Sequence, residues 1–162
     1  MTRVLALSLA LVLSGCDRAP QRTPAPPQTA PAAPAVNAQQ ATATLGSIHL
    51  GATLIPLATL PAQALASYGL EADEDAQLLM VSARDAAGNA IAVEDLAIVA
   101  RAGSLQDAPR QVPLRRIDTN GLIDFIGVVP VAPPTTLRVL VEARKGDSNA
   151  TMTFSRDFYP AR

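Results

Sequence analysis

The sequence predicts an all-β protein: an immunoglobulin-like antiparallel sandwich of about seven strands with one short helix, preceded by a signal peptide and a disordered linker. Three observations predict it. Short runs of alternating apolar and polar residues recur at intervals of about a dozen residues, separated by turn residues. Asn120-Gly121 stands between two β-prone runs, the strongest short-range signal of a hairpin because both residues tolerate positive φ. No long helical pattern alternates with the strands, which argues against a parallel α/β sheet.

The chain has 162 residues, 13 Lys and Arg against 14 Asp and Glu, and a formal net charge of −1. Thr2 and Arg3 form a small n-region, and residues 4–13 form an apolar h-region interrupted only by Ser8. That run falls short of the ~20 residues needed to span a bilayer, so it reads as an export signal and not as a membrane span. Leu13-Ser14-Gly15-Cys16 follows directly and resembles the lipobox of bacterial lipoproteins. The resemblance implies cleavage after Gly15, diacylation of the Cys16 sulfur and acylation of the new N-terminus. Two or more acyl chains hold a protein stably on a membrane, at about 0.8 kcal/mol per buried methylene. Asp17 resembles the inner-membrane retention signal of enterobacterial lipoproteins, which favours the inner membrane over the outer. Cys16 is the only cysteine, so no intramolecular disulfide is available even in an oxidising compartment. An apolar core must carry the stability.

Residues 16–43 form the linker. Pro20, Pro24, Pro26, Pro27, Pro31 and Pro34 lie among Ala, Gln and Thr, with almost no large apolar side chains. Such composition buries too little surface to offset chain entropy, and the prolines break any helix. Its reach lies between roughly 30 Å as a coil and about 85 Å fully extended.

The domain then occupies residues 44–162. Residues 44–55 read as a strand with Ile48, Leu50, Ala52 and Leu54 on one face. Pro61 opens a short helix over residues 61–68, where its missing N–H costs nothing, and Gly69 ends it. Residues 77–84 form a strand, Asp85-Ala86-Ala87-Gly88-Asn89 a turn, and residues 90–102 one strand or two with a break near Glu94-Asp95. Residues 111–117 and 122–131 flank the Asn120-Gly121 turn. Leu137, Val139, Val141 and Ala143 alternate with Arg138, Leu140, Glu142 and Arg144 as a half-buried strand. Gly146-Asp147 turns the chain into residues 150–159, where Met152, Phe154 and Phe158 share a face.

Three segments carry a second resemblance: Ala64-Leu65-Ala66-Ser67-Tyr68-Gly69-Leu70, then Phe125-Ile126-Gly127, then Phe154-Ser155-Arg156-Asp157-Phe158-Tyr159. In this order they resemble an uncharacterised family of small exported proteobacterial proteins, classed as a domain of unknown function. The resemblance spans about residues 45–159 and implies a compact β-sandwich with no assigned activity. His49 corresponds in it to a family histidine near the first strand, at a longer spacing from Tyr68.

Residues that could carry chemistry are few. His49 is the single histidine. Ser47 would share its side of an extended strand, yet no nucleophile elbow or other frame surrounds the pair, and a polar place on an exposed strand face is the simpler reading. One imidazole and no free thiolate are too few donors for a transition-metal site. Glu71-Ala72-Asp73-Glu74-Asp75 lacks the alternating ligands and central glycine of a calcium loop and reads as a solvated acidic loop. Asp118, Asn120 and Asp124 invite a calcium reading, but the hairpin explains Asn120 and Gly121 without one, and chance explains the Asn149-Ala150-Thr151 sequon. Arg110, Arg115, Arg116, Arg144 and Lys145 form no nucleic-acid surface, since two Tyr, three Phe and no Trp leave few stacking platforms. No catalytic residue, cofactor or metal is therefore expected. The expected function is that of a non-enzymatic envelope lipoprotein, bound to the membrane through its N-terminal lipid and engaging an envelope protein by a sheet edge or loop surface in the periplasm. A periplasmic small-molecule or ion binder, using loops at one end of the sandwich, is the alternative, and a hydrolase stands behind both.

Overall fold

A strand buried on both faces organises the domain. β3 (Ala76–Arg84) reads Leu78-Leu79-Met80-Val81 without the usual polar alternation, and Leu78 and Leu79, which point to opposite faces, are both 0 % exposed. One face meets the sandwich core and the other a layer formed by the helix. The computed structural model describes residues 39–92 and 94–160, and the signal, lipobox and most of the linker lie outside them.

Among the described residues nine strands build two antiparallel sheets. The first runs in the order β1 (Gln40–Leu45), β2 (Ile48–Pro56), β3, β7 (Leu122–Pro130), β6 (Arg115–Thr119). The second runs β5 (Arg110–Val112), β4 (Ala97–Ser104), β8 (Thr135–Lys145), β9 (Ser148–Phe158). The all-β sandwich is thus as the sequence predicts, and the excess over seven strands comes from two expected runs that split. Residues 44–55 divide at a Gly46-Ser47 turn into the β1–β2 hairpin, and residues 111–117 divide at Pro113-Leu114. Pairing also begins at Gln40, opposite Thr53, inside the stretch expected as linker. Ala41 and Ala43 pack on the core there, so even small side chains gain from joining the sheet.

Between the sheets, Leu50, Leu54, Leu79 and Val81 meet Val139, Val141, Met152 and Phe154. Phe154 is the largest fully buried side chain. On the outer face of the first sheet, Leu57 and Leu65 cover Leu78 and Ile126. The helix α1 (Ala62–Tyr68) follows a short 3-10 turn (Leu57–Thr59), with Pro61 at its N-cap. Gly69 after it adopts φ +59°. The Gly69 N–H donates to the Ala66 carbonyl at 3.0 Å and the Leu70 N–H to that of Leu65 at 2.8 Å, the double bond of a Schellman stop. The segments 64–70 and 125–127 meet in this layer, where Leu65, Tyr68 and Leu70 pack with Ile126.

The chain changes sheets between β5 and β6. Pro113 and Leu114 cross beside Gly127, where an added Cβ would lie 2.7 Å from the Pro113 carbonyl oxygen. Glycine is required by that crossing. The sandwich closes on the opposite side, where the outer strands β1 and β9 pack together. Arg156 reaches over there to the Leu54 carbonyl at 3.5 Å.

Candidate functional site

The residues singled out by chemistry are scattered. Ser47 lies in the β1–β2 turn and His49 on the outward face of β2, between Thr44 and Arg84 in the ladder. The alternation that would align Ser47 with His49 is therefore interrupted, and both are exposed. Next to them Arg84 is fully engaged. It pairs with Asp124 at 2.6 Å, with side chains 18 % and 12 % exposed, and donates to the Ile123 and Ala83 carbonyls. This ion pair ties β3 to β7 and has the structural role of a satisfied, half-buried charge.

In the acidic loop, the Asp75 N–H donates to Asp73 Oδ1. Asp118 Oδ1 accepts from the Gly121 N–H at 2.8 Å, and Asn120 and Gly121 adopt φ of 55° and 81°. The hairpin therefore uses Asp118 and Asn120, while Asp124 serves Arg84. Among the described residues no group of three or more His, Cys, Asp or Glu side chains could hold a metal ion. Cys16 and Gly15, the lipidation and cleavage residues, lie outside the described residues.

What the structure does bring together is one end of the sandwich. β6 pairs only with residues 122–126 of β7, whereas β3 pairs with residues 124–130. Residues 127–130 therefore have no strand on their other side among the described residues, because the chain leaves the first sheet at Pro113 to form β5 in the second. Between this open edge and β5 runs a groove of about 1050 Å³. Ala102, Val112, Val129, Val131 and Leu137 give it an apolar base that is continuous with the core. Its walls are the β4–β5 loop and the proline-rich β7–β8 loop, in which a cis peptide joins Pro133 to Pro134. The β4–β5 loop is held from within. Ser104 Oγ donates to Asp107 Oδ2 at 2.7 Å and accepts from the Gln106 and Asp107 N–H groups.

A smaller cavity of about 370 Å³ adjoins the groove and shares Ser104, Gln106, Pro134 and Thr135 with it. Thr136 Oγ1 donates to Asp157 Oδ1 there at 2.6 Å. Leu105, 60 % exposed, and Tyr159, 76 % exposed, form its rim, and Val128, 38 % exposed, lines the groove. Across the β3–β7 ladder from Val129 sits Gln77, only 4 % exposed, whose Oε1 has no hydrogen-bond partner among the described residues. The groove was hidden from sequence reasoning because its base is made of residues that also read as core. The available signals were the prolines at 109, 113, 130, 133 and 134, which interrupt strands around one end.

The fold is an antiparallel β-sandwich with an apolar groove at one end. Residues 42–161 match DUF4426, a domain of unknown function, and the chain belongs to that family. A DUF4426 family protein from Pseudomonas aeruginosa PAO1, with a crystal structure at 2.09 Å, superimposes with a TM-score of 0.61 at 15 % identity over 76 % of this chain and 98 % of that one. FetP from uropathogenic Escherichia coli, expressed recombinantly in the periplasm, gives 0.50 at 8 % identity over 75 % and 94 %. A copper-bound variant of FetP gives 0.48 at 9 % identity over 71 % and 93 %. At these identities the likeness shows the fold alone. None of the curated proteins matches the chain.

Proposed function

We propose that this chain is a non-enzymatic lipoprotein of the bacterial cell envelope that docks an extended segment of another envelope protein in its end groove. The lipid on Cys16 holds it to the membrane, the inner membrane by the resemblance at Asp17, and the Pro- and Ala-rich spacer sets the sandwich off into the periplasm. The observation that carries the docking reading is the unpaired edge at residues 127–130 facing β5 across the groove. An unpaired edge offers backbone donors and acceptors to an added strand, and flanking apolar pockets take its side chains. Pro130 removes one donor, which limits the addition to a short segment.

A photocrosslinking residue placed at Ala132, inside the groove, tests this in the living envelope against one at Glu142, on the far face of the second sheet. A discrete protein adduct at 132 and none at 142 is the expected result. Equal labelling at both positions, or none at 132, refutes it. The alternative, a periplasmic small-molecule binder, draws on the 370 Å³ cavity beside Thr136 and Asp157. A thermal-shift screen discriminates, since a ligand at 100 times its dissociation constant adds about 2.7 kcal/mol.

A further inference from the structure

We infer that the outer edge of β6 pairs with the same edge of a second copy of this chain, antiparallel and in one register centred on Ile117. β6 is the last strand of the first sheet, and no strand lies beyond it among the described residues. The strand at the other end of that sheet, β1, is packed against β9. Along β6, Arg115, Arg116, Asp118 and Thr119 are exposed and Ile117 is half-buried.

The hairpin fixes which backbone groups of β6 are open. Its turn has two residues, Asn120 and Gly121, both at positive φ, and Thr119 lies opposite Leu122. Residues flanking such a turn exchange both ladder hydrogen bonds, and bonded pairs then recur at every second position. The next bonded pairs are therefore Ile117 with Asp124 and Arg115 with Ile126. The N–H and C=O groups of Arg116 and Asp118 point the other way, toward the open side.

Two such edges join where residues with outward groups face each other. Three antiparallel registers within β6 do this: Arg116 facing Arg116, Asp118 facing Asp118, or Arg116 facing Asp118. The first two set like charges directly opposite, which destabilises a sheet. The third sets Arg116 against Asp118 of the second copy twice, by twofold symmetry, with Ile117 facing Ile117 between the two pairs. Across the ladder Arg116 and Asp118 lie opposite Phe125 and Ile123, which pack on the core. Guanidinium and carboxylate thus meet on one face, and Ile117 lies on the other, beside the helix layer. Asp118 Oδ1 accepts from the Gly121 N–H, which fixes the carboxylate and leaves Oδ2 for the guanidinium. Charges on an edge strand ordinarily discourage pairing; here the order Arg-Ile-Asp discourages every register but one. Five residues a side and exposed ion pairs make this a weak, transient association.

Thiol trapping on the purified full-length chain in detergent tests the inference, with the parent, whose only thiol is Cys16, as the blank. Facing residues that share no backbone bond have Cα atoms about 4.5 Å apart, within reach of a disulfide. Ile117→Cys is therefore expected to form a disulfide dimer under mild oxidation. Arg115→Cys and Thr119→Cys on separate chains should also trap each other, and each alone should trap about tenfold less, because its own mate lies about 13 Å away along the strands. Adding Arg116→Asp to Ile117→Cys should lower the trapped fraction about tenfold, measured relative to alkylation of the same thiol. Adding Asp118→Asn to that chain keeps an oxygen for the Gly121 N–H and should recover most of the loss. Arg138→Asp makes the same change of charge at an exposed place on β8 and should leave trapping unchanged. No dimer above the blank, or Thr119→Cys trapping itself as readily as it traps Arg115→Cys, overturns the register. Trapping indifferent to Arg116→Asp, or weakened equally by Arg138→Asp, overturns the charge pairing and the inference with it.

Discussion

Gly127→Ala probes the point where the chain passes from one sheet to the other. Gly127 has no positive φ, so alanine meets no backbone penalty and the effect is one of space. The new methyl would lie 2.7 Å from both the Pro113 carbonyl oxygen and Val112 Cγ1, and 3.0 Å from Leu114 Cδ2. Ordinary contact begins near 3.4 Å, so the crossing backbone must retreat by about 0.7 Å from a packed position, an overpacking that costs about 1–3 kcal/mol. Replacing glycine restricts the unfolded chain and returns about 0.4–1 kcal/mol. Taken at the middle of both ranges, the net expectation is a loss of about 1.3 kcal/mol, or roughly 3–8 °C in Tm for a domain of this size. Gly51→Ala is the control, because its added methyl meets only the Ser82 hydroxyl, at 3.0 Å, which can rotate away. It should fall within about 0.5 kcal/mol of the parent. Thermal and urea unfolding followed by circular dichroism measure both. A Gly127→Ala protein as stable as its parent, or a Gly51→Ala protein equally damaged, would refute the account of the crossing.

Other consequences are open to equally direct measurement. Phe154→Ala, at the centre of the core, should lose about 3–5 kcal/mol in urea unfolding. Asp124→Ala leaves the half-buried Arg84 uncompensated and should cost about 2–4 kcal/mol, while Arg84→Met with Asp124→Leu should recover most of that loss; a double variant as weak as the single one argues against it. The Asn89 side-chain amide, then the Asn89 backbone N–H, with smaller help from the Ala87 and Gly88 N–H groups, hold the Asp85 carboxyl below its ordinary value of 3.8. A depressed folded value stabilises the turn above the unfolded pKa and is lost as pH falls through the folded one. The protection of the Ala87 and Asn89 amides, both bonded to Asp85 Oδ1 at 2.8 Å, relative to their intrinsic exchange rates should therefore fall as the pH drops below about 4, and Asp85→Asn should remove that dependence. Palmitate labelling of the mature chain should vanish in Cys16→Ser, with release of the domain from membranes.

The sequence by itself determined the β class, the faces of β2 and β8, the helix with its Gly69 stop and the Asn120-Gly121 hairpin, because each depends on neighbours in the chain. A period of two, a capping residue or a pair tolerant of positive φ is local chemistry. The sequence also suggested the family, and the structure shows why its segments 64–70 and 125–127 go together: they share one small apolar layer. The tertiary structure alone decided that residues 44–55 fold back as a hairpin, that β3 is covered on both faces and that β5 and β6 belong to different sheets. Those outcomes turn on which distant surface each segment meets, and alternation along a strand cannot specify that. The groove arises in the same way, since Val129 and Leu137 are patterned like any core residues and border it only because β6 stops short of the end of β7.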